Sequence, residues 1–175
     1  MTTTSGKLRS RLAPTKARRE ARVVALQVLY EVDTAHHQAG EVLQRHLRER
    51  AAERVGEQGD ERAAGSHHSL DEVAVRDYAI RLVSGVVQEL ADLDCFIAEC
   101  APDFPVSSLS PIDRNILRVA VYEMRAGLVP ARVAVNEAVE IAKQYGSDTS
   151  PRFVNGALGA AITKLSLASA GEDTP

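Results

Sequence analysis

Apolar residues recur along most of this chain at spacings of three and four, the pattern of helices that bury one face. The clearest example follows Ser150 and Pro151, which are typical of a helix N-cap and of a first helical position. The apolar stripe of this last helix consists of Val154, Ala157, Leu158, Ala161, Ile162 and Leu165. We expect the helix to begin at Ser150 and its stripe to lie in the core.

The same spacing predicts three helices within the first hundred residues. One starts near Lys16 and ends at about 34–36, a weaker and heavily charged one covers 40–54, and a long one covers 70–100. Within the long helix, Gly85 either bends the axis or lets another helix approach closely. The expected core residues of the long helix are Val73, Val75, Tyr78, Ile80, Leu82, Val83, Val86, Val87, Leu90, Leu93, Phe96 and Ile97.

Two more helices complete the pattern. One is capped by Ser110 and ends at Gly127, and the other begins after Pro130 and ends at Gly146. No stretch alternates apolar and polar residues in the way that marks a strand. The chain is therefore predicted to be all-α, a compact bundle of six to seven helices.

Little can be buried in the stretches around these helices. Residues 1–15 lack apolar periodicity and are expected to form a flexible basic arm, 56–69 a polar loop, and 167–175 a loose tail. The helical domain is then expected at 16–166. His67 and His68 in the polar loop lack the Cys or Asp partners of a metal site.

Charge is distributed unevenly along the chain. The first 22 residues carry seven Lys or Arg against Glu20 alone, a net charge of +6, so the total of −3 leaves −9 on the remainder. A basic arm on an acidic body indicates local contact with a polyanion. A solvated tail and a transit peptide are alternative interpretations of the arm.

The usual motifs of catalysis are missing from the sequence. It contains no H-E-x-x-H, no Gly-rich phosphate loop with its Lys, and no G-x-S-x-G. Cys95 and Cys100 are five residues apart in a predicted helix and so point to different faces, which disfavours a disulfide and indicates a reducing compartment. No apolar run is long enough to cross a bilayer. We therefore expect a protein that is not an enzyme and that has no cofactor, metal site or membrane segment.

Binding is the chemistry that remains. Arg19 and Tyr30 are eleven residues apart, three helical turns, and so share one flank of the first helix. At the start of the last helix, Arg152, Phe153 and Asn155 bring together a cation, an aromatic ring and an amide. Such side chains stack on bases and hold phosphates, although core packing is an alternative for each aromatic residue. Because no helix-turn-helix signature is present, RNA is favoured over DNA.

Four stretches of the chain resemble the NusB family of transcription antitermination factors, in the same order and at matching spacing. They are A-R-R-E-A-R-V-V-A-L-Q-V-L-Y-E at 17–31, I-D-R-N-I-L-R-V-A-V-Y-E-M at 112–124, V-A-V-N-E-A-V-E-I-A-K-Q-Y-G at 133–146 and P-R-F-V-N-G-A-L-G at 151–159. The resemblance covers about 16–166 and implies an all-helical fold in two helical halves. It also implies a cytoplasmic bacterial factor that binds boxA-type single-stranded RNA of ribosomal RNA transcripts. Its partners would be NusE, a small-subunit ribosomal protein, and an antitermination complex on RNA polymerase.

The resemblance also assigns functional residues. Its RNA-binding positions correspond to Lys16, Arg18, Arg19, Arg22, Tyr30, Arg118, Tyr145, Arg152, Phe153 and Asn155. Asp113 falls where the family places an acid at the NusE surface. Because most of the RNA-binding positions lie near one end of the chain or the other, the assignment predicts that the two ends lie side by side in the fold.

Two other functions are left open by the sequence. The same helical domain resembles the N-terminal part of Fmu-type RNA cytosine methyltransferases, which would need a downstream domain with a catalytic Cys. The other is a protein-interaction scaffold with a basic tail. The sequence also leaves open a homodimer that buries the arginine surface until a partner arrives.

Overall fold

The computed structural model describes residues 15–57 and 65–171, and within these ranges every regular element is helical. The helices are α1 (Thr15–Ala35), α2 (Ala39–Glu57), α3 (Gly65–Gln88), α4 (Leu90–Cys100), α5 (Pro111–Arg125), α6 (Ala131–Tyr145) and α7 (Ser150–Gly171), with a 3₁₀ turn at Val106–Ser108. The prediction of an all-α chain is confirmed over these residues. The predicted arm up to residue 14, the loop centre at 58–64 and the last four residues lie outside the described residues, as do the side chains of His67 and His68.

The helices pack in two groups that share α5. In the first half, α1 packs against α2 and α3, and α2 also contacts α3. In the second half, α5, α6 and α7 pack against one another, and α4 packs on α5 and α7. Since α5 also packs against α1 and α3, it joins both groups into one core. The expected two helical halves are therefore present.

The ends of α5 follow the local signals of the sequence. Ser110 Oγ accepts a hydrogen bond from the backbone N–H of Asp113 at 3.0 Å, which satisfies one of the free donors at the helix start. Directly after the helix, Gly127 has a φ of 61°, a conformation that favours glycine. Both predicted boundaries of this helix are confirmed.

The predicted long helix of 70–100 is wrong in one respect, because the chain breaks it at Glu89. The break lets α3 follow α1 while α4 turns towards α5 and α7, where Leu93 and Ile97 are buried. Four of the expected core residues are exposed, and three of them lie at seven-residue spacing on one outer face of α3. These are Val73, Ile80, Val87 and Leu90.

Gly85 of α3 marks a close helix contact rather than this bend. A Cβ at this position would lie 1.9 Å from Cζ of Tyr122 on α5, so any side chain here would force the tyrosine ring to move. Of the two interpretations of Gly85, close approach is the one that the structure shows.

Other helix boundaries also differ from the prediction. α3 begins at Gly65, inside the expected polar loop, and α7 extends into the expected loose tail. α7 begins at Ser150 as predicted, but Ser150 is its first residue rather than its N-cap, because the carbonyl of Thr149 already accepts a bond from the N–H of Phe153 at 3.1 Å. Ser150 Oγ instead accepts a bond from the N–H of Ser147 at 2.9 Å and so closes the preceding turn. Among the described helices, none has the length and apolarity needed to cross a membrane.

Candidate nucleic-acid interface

The start of α1 presents cations to solvent. Lys16 and Arg19 are exposed and Arg18 is half-buried. Ala17 and Ala21, which alternate with them, are buried in the core. The helical period therefore turns the small residues inwards and the cations outwards. We call Lys16, Arg18 and Arg19 the α1 basic face.

Arg19 is held in place by a carboxylate of α6. Its Nε donates to Glu137 Oε2 at 2.9 Å and its Nη2 donates to Glu137 Oε1 at 2.7 Å, a bidentate pair. The Arg19 side chain is 57% exposed, whereas that of Glu137 is only 10% exposed. The hydrogen bond from Arg19, helped by the charge of Arg22, holds the pKa of Glu137 below its ordinary value. The carboxylate is therefore ionised at neutral pH and fixes the guanidinium at the surface.

Arg22, one turn further along α1, is buried. It is 2% exposed and its Nε lies 3.0 and 2.9 Å from the two carboxylate oxygens of Glu123, itself 1% exposed. Its Nη1 also donates to Glu137 Oε2 at 3.3 Å, and its guanidinium lies 5.9 Å from the ring centroid of Tyr78. The expectation that Arg22 contacts RNA directly does not fit this position, because its donors face internal carboxylates.

The hydroxyl of Tyr78 completes this buried cluster. It donates to Glu123 Oε1 at 2.5 Å. Burial and the charge of Glu123 raise the pKa of Tyr78, so the phenol stays protonated as a donor. We call Arg22, Tyr78, Glu123 and Glu137 the buried ion cluster, which connects α1, α3, α5 and α6.

Arg118 is also buried, against the expectation of an RNA contact. Its Nε and Nη2 donate to the two carboxylate oxygens of Asp94, each at 2.7 Å, and its Nη1 donates to Asn115 Oδ1 at 3.0 Å. Asp33 Oδ2 of α1 lies 3.3 Å from the same Nη1. Arg118 therefore ties α5 to α4 and α1 from inside the fold.

The start of α7 leaves two of its candidate residues open to solvent. Arg152 and Asn155 are exposed, whereas Phe153 and Tyr145 are half-buried against the core. The ring of Phe153 meets the ring of Phe104 edge to face, with centroids 5.3 Å apart and planes at 70°. Core packing therefore accounts for part of each ring, and the remaining part reaches the surface.

Tyr30 and Asp113 lie apart from this cationic surface. Tyr30 is exposed, and eleven helical residues place it about 16 Å from Arg19 along α1. The next residue, Glu31, accepts hydrogen bonds from His37 and Arg45, which lower its pKa to about 2. Asp113 is half-buried at the start of α5, and its Oδ1 has no hydrogen-bond partner among the described residues. Glu31 beside Tyr30 is therefore paired with Arg45 and His37, whereas the Asp113 carboxylate keeps one oxygen without a partner among the described residues.

The two ends of the chain are related through α6. α1 and α7 both pack on α5 without an extensive contact between them. Glu137 of α6 binds Arg19, and eight residues later, about 12 Å along the helix, Tyr145 precedes the turn into α7. That turn is tight, because a Cβ on Gly146 would lie 2.5 Å from Cβ of Ser150. The two ends are therefore connected through α5 and α6, and the predicted side-by-side packing of the first and last helices is not seen among the described residues.

The acids of these ion pairs were missed by the sequence analysis. Glu137 follows Ala134 by three residues and precedes Ala138 and Ile141, and it therefore falls on the apolar stripe of α6. Glu123 likewise falls on the apolar stripe of α5, because Ile116 and Ala120 lie seven and three residues before it. An acid on a buried stripe indicates a buried ion pair, since an unpaired charge there would be costly. This signal was available in the sequence.

Comparison with known proteins identifies the family. The profile of the NusB family matches residues 19–163. Transcription antitermination protein NusB of Dehalococcoides mccartyi (strain ATCC BAA-2266 / KCTC 15142 / 195) is 40% identical over 152 residues, which cover 86% of this chain and 93% of the relative. The structure of T. maritima NusB matches with a TM-score of 0.66 and 28% identity, over 83% of this chain and 90% of that chain.

A second solved structure shows the same fold. It is a crystal structure of antitermination factors NusB and NusE in complex with dsRNA, and one of its chains matches with a TM-score of 0.68 and 22% identity. The match covers 86% of this chain and 99% of that chain.

Proposed function

Because this chain belongs to the NusB family, we propose that it is a transcription antitermination factor that binds boxA-type single-stranded RNA together with NusE. The observation that carries the RNA-binding part is the α1 basic face, where three cations stand at the surface and Arg19 is held in one orientation. The function rests on binding, not on catalysis. It would operate in the bacterial cytoplasm, on RNA polymerase.

The proposed RNA surface has two parts. The α1 basic face supplies charge for phosphates, and Arg152 and Asn155 supply a cation and an amide at the start of α7. Phe153 and Tyr145 are half-buried aromatic rings on which a base can stack, a contact worth about 1–3 kcal/mol per base. Arg22 and Arg118 lie beneath this surface, where their buried ion pairs hold α1 and α5 in place.

The proposed NusE surface is separate. Asp113, at the start of α5, has a carboxylate oxygen without a hydrogen-bond partner among the described residues. Ribosomal proteins are basic as a class because they bind RNA, so an unpaired carboxylate oxygen is suited to contact a cation of one of them. A crystal structure of related fold contains NusB, NusE and dsRNA together, which supports simultaneous binding of both partners.

The test is a binding measurement with paired double variants. We expect Lys16→Ala with Arg19→Ala to weaken binding of a fluorescent boxA-type RNA and to lower the slope of log K against log salt by about 1.4, since each phosphate contact on a single strand contributes about 0.7. Arg48→Ala with Arg76→Ala is the matched control, because both residues are exposed on α2 and α3 and the charge change is the same.

The outcome separates the competing functions. Equal affinity and equal slope for the two double variants would refute the α1 basic face as an RNA site. NusE binding that gains nothing from RNA would favour the scaffold function. Sedimentation with and without RNA tests the homodimer: a dimer that persists when saturated with RNA would exclude masking of the arginine surface.

A further inference from the structure

An acid contacts the α1 basic face of the proposed RNA surface, where a negative charge should repel phosphates. That acid is Glu137, whose carboxylate binds Arg19 through two hydrogen bonds. The geometry points to a positioning role: Glu137 holds the Arg19 guanidinium in the orientation that binds an RNA phosphate. This inference rests on the proposed RNA-binding function and names a residue that acts there without touching RNA.

The hydrogen-bond inventory of Arg19 leaves room for a phosphate. A guanidinium has five N–H donors in a rigid plane. Glu137 takes the Nε–H and one N–H of Nη2, so both donors of Nη1 and one of Nη2 remain. Because the Glu137 side chain is 10% exposed and that of Arg19 is 57% exposed, the carboxylate lies on the inner side of the guanidinium and the free donors face outwards.

Glu137 is itself fixed from below. Its Oε2 accepts from Arg22 Nη1 at 3.3 Å, and Arg22 is held by Glu123, which also accepts the hydroxyl of Tyr78. The buried ion cluster thus continues to the surface through Glu137. An arginine side chain loses much rotamer freedom when it binds a ligand, and prior fixation removes part of that loss.

The opposite role would be competition, in which Glu137 imitates a phosphate and occupies Arg19 until RNA displaces it. Displacement would require the carboxylate to leave a site where it also binds the buried Arg22. Arg22 would then lose one of its two acidic partners without access to water. The geometry therefore favours positioning over competition.

Glu140 provides a matched control for the charge effect. It lies one turn after Glu137 on α6, is exposed, pairs with Lys143 at 2.6 Å, and acts on Arg19 only through its charge. Glu137→Gln and Glu140→Gln therefore add the same positive charge near Arg19, but only the first removes the bidentate contact. The comparison uses the full-length protein, a boxA-type RNA oligonucleotide and a salt series.

Positioning predicts that Glu140→Gln binds RNA as tightly as the unmodified protein or up to about threefold more tightly, since the added charge attracts RNA. Glu137→Gln should bind at least about fivefold more weakly than Glu140→Gln, with a salt slope lower by about 0.7. If Glu137→Gln binds as tightly as Glu140→Gln or more tightly, the positioning role is wrong. Tighter binding would show competition.

Two further variants separate this inference from a purely structural effect. If Glu137 acts through Arg19, the double variant Arg19→Ala with Glu137→Gln should lose no more RNA affinity than Arg19→Ala alone. If the two losses of RNA affinity add, the residues act independently and the inference is overturned. Arg19→Lys keeps the charge but lacks the bidentate fork of the guanidinium, so it should also weaken RNA binding. Unchanged RNA binding by Arg19→Lys would contradict positioning, and this test remains valid even if Glu137→Gln does not fold. Unchanged binding by Arg19→Ala would instead refute the proposed RNA site itself.

Discussion

Replacing Arg22 by methionine tests whether the buried ion cluster holds the fold together. Methionine keeps a long apolar stem of similar length, so the change removes the guanidinium and little packing. It leaves Glu123, which is 1% exposed, with the hydroxyl of Tyr78 but without a cation. The same substitution at Arg19 is the control, because that side chain is 57% exposed.

The expected magnitudes differ clearly between the two positions. Removing one partner of a buried ion pair costs about 3–5 kcal/mol, because the remaining charge is neither hydrated nor paired. An exposed pair contributes about 0–1 kcal/mol. For a chain of this length, about 2–4 °C per kcal/mol gives a fall in melting temperature on the order of 10 °C for Arg22→Met. The fall for Arg19→Met should be no more than a few degrees.

Urea denaturation followed by circular dichroism measures the free energy of unfolding, and because urea is uncharged it does not screen ion pairs. The double variant Arg22→Met with Glu123→Gln should recover at least about 2 kcal/mol of the loss, because it removes the uncompensated charge and keeps an acceptor for Tyr78. If Arg22→Met costs less than about 1 kcal/mol, or if the double variant is less stable than the single one, the electrostatic reasoning is refuted. Any loss of RNA affinity in the folded fraction of Arg22→Met should be smaller than that of Arg19→Met, because Arg22 acts on the RNA surface only through Glu137 and Arg19.

Two further predictions concern the helix contact and pH. Gly85→Ala should destabilise the fold by about 1–3 kcal/mol, because its Cβ would overlap the ring of Tyr122. Gly156→Ala is the control: its Cβ would meet open space, so it should be neutral or stabilising by up to about 1 kcal/mol. Urea titrations of both variants measure the free energy of unfolding, and equal effects would contradict the close contact at Gly85. The folded-state pKa of Glu137 is below its unfolded value, so its contribution to stability is present above about pH 4.5 and is lost as pH falls through the lower folded value. Melting curves from pH 6 to pH 3 should therefore fall less steeply for Glu137→Gln, and parallel curves would show that the carboxylate does not contribute.

The helices and the family motifs could be predicted from the sequence because they depend on residues close together in the chain. Ser110 and Gly127 mark the ends of α5 through contacts within one turn. The break at Glu89 could not be predicted, since no proline causes it and both sides remain helical. It follows from which partner each half packs against, and that depends on distant helices.

For the candidate site, the sequence determined which cations are present and that α1 is an amphipathic helix. It could not determine which of these cations faces solvent. Arg19 and Arg22 are three residues apart, yet one is exposed and the other is buried. The difference arises because Glu123 and Glu137, more than a hundred residues later, approach α1 from α5 and α6. Only the tertiary structure decides this, because burial and ion pairing depend on contacts between helices that are remote in sequence.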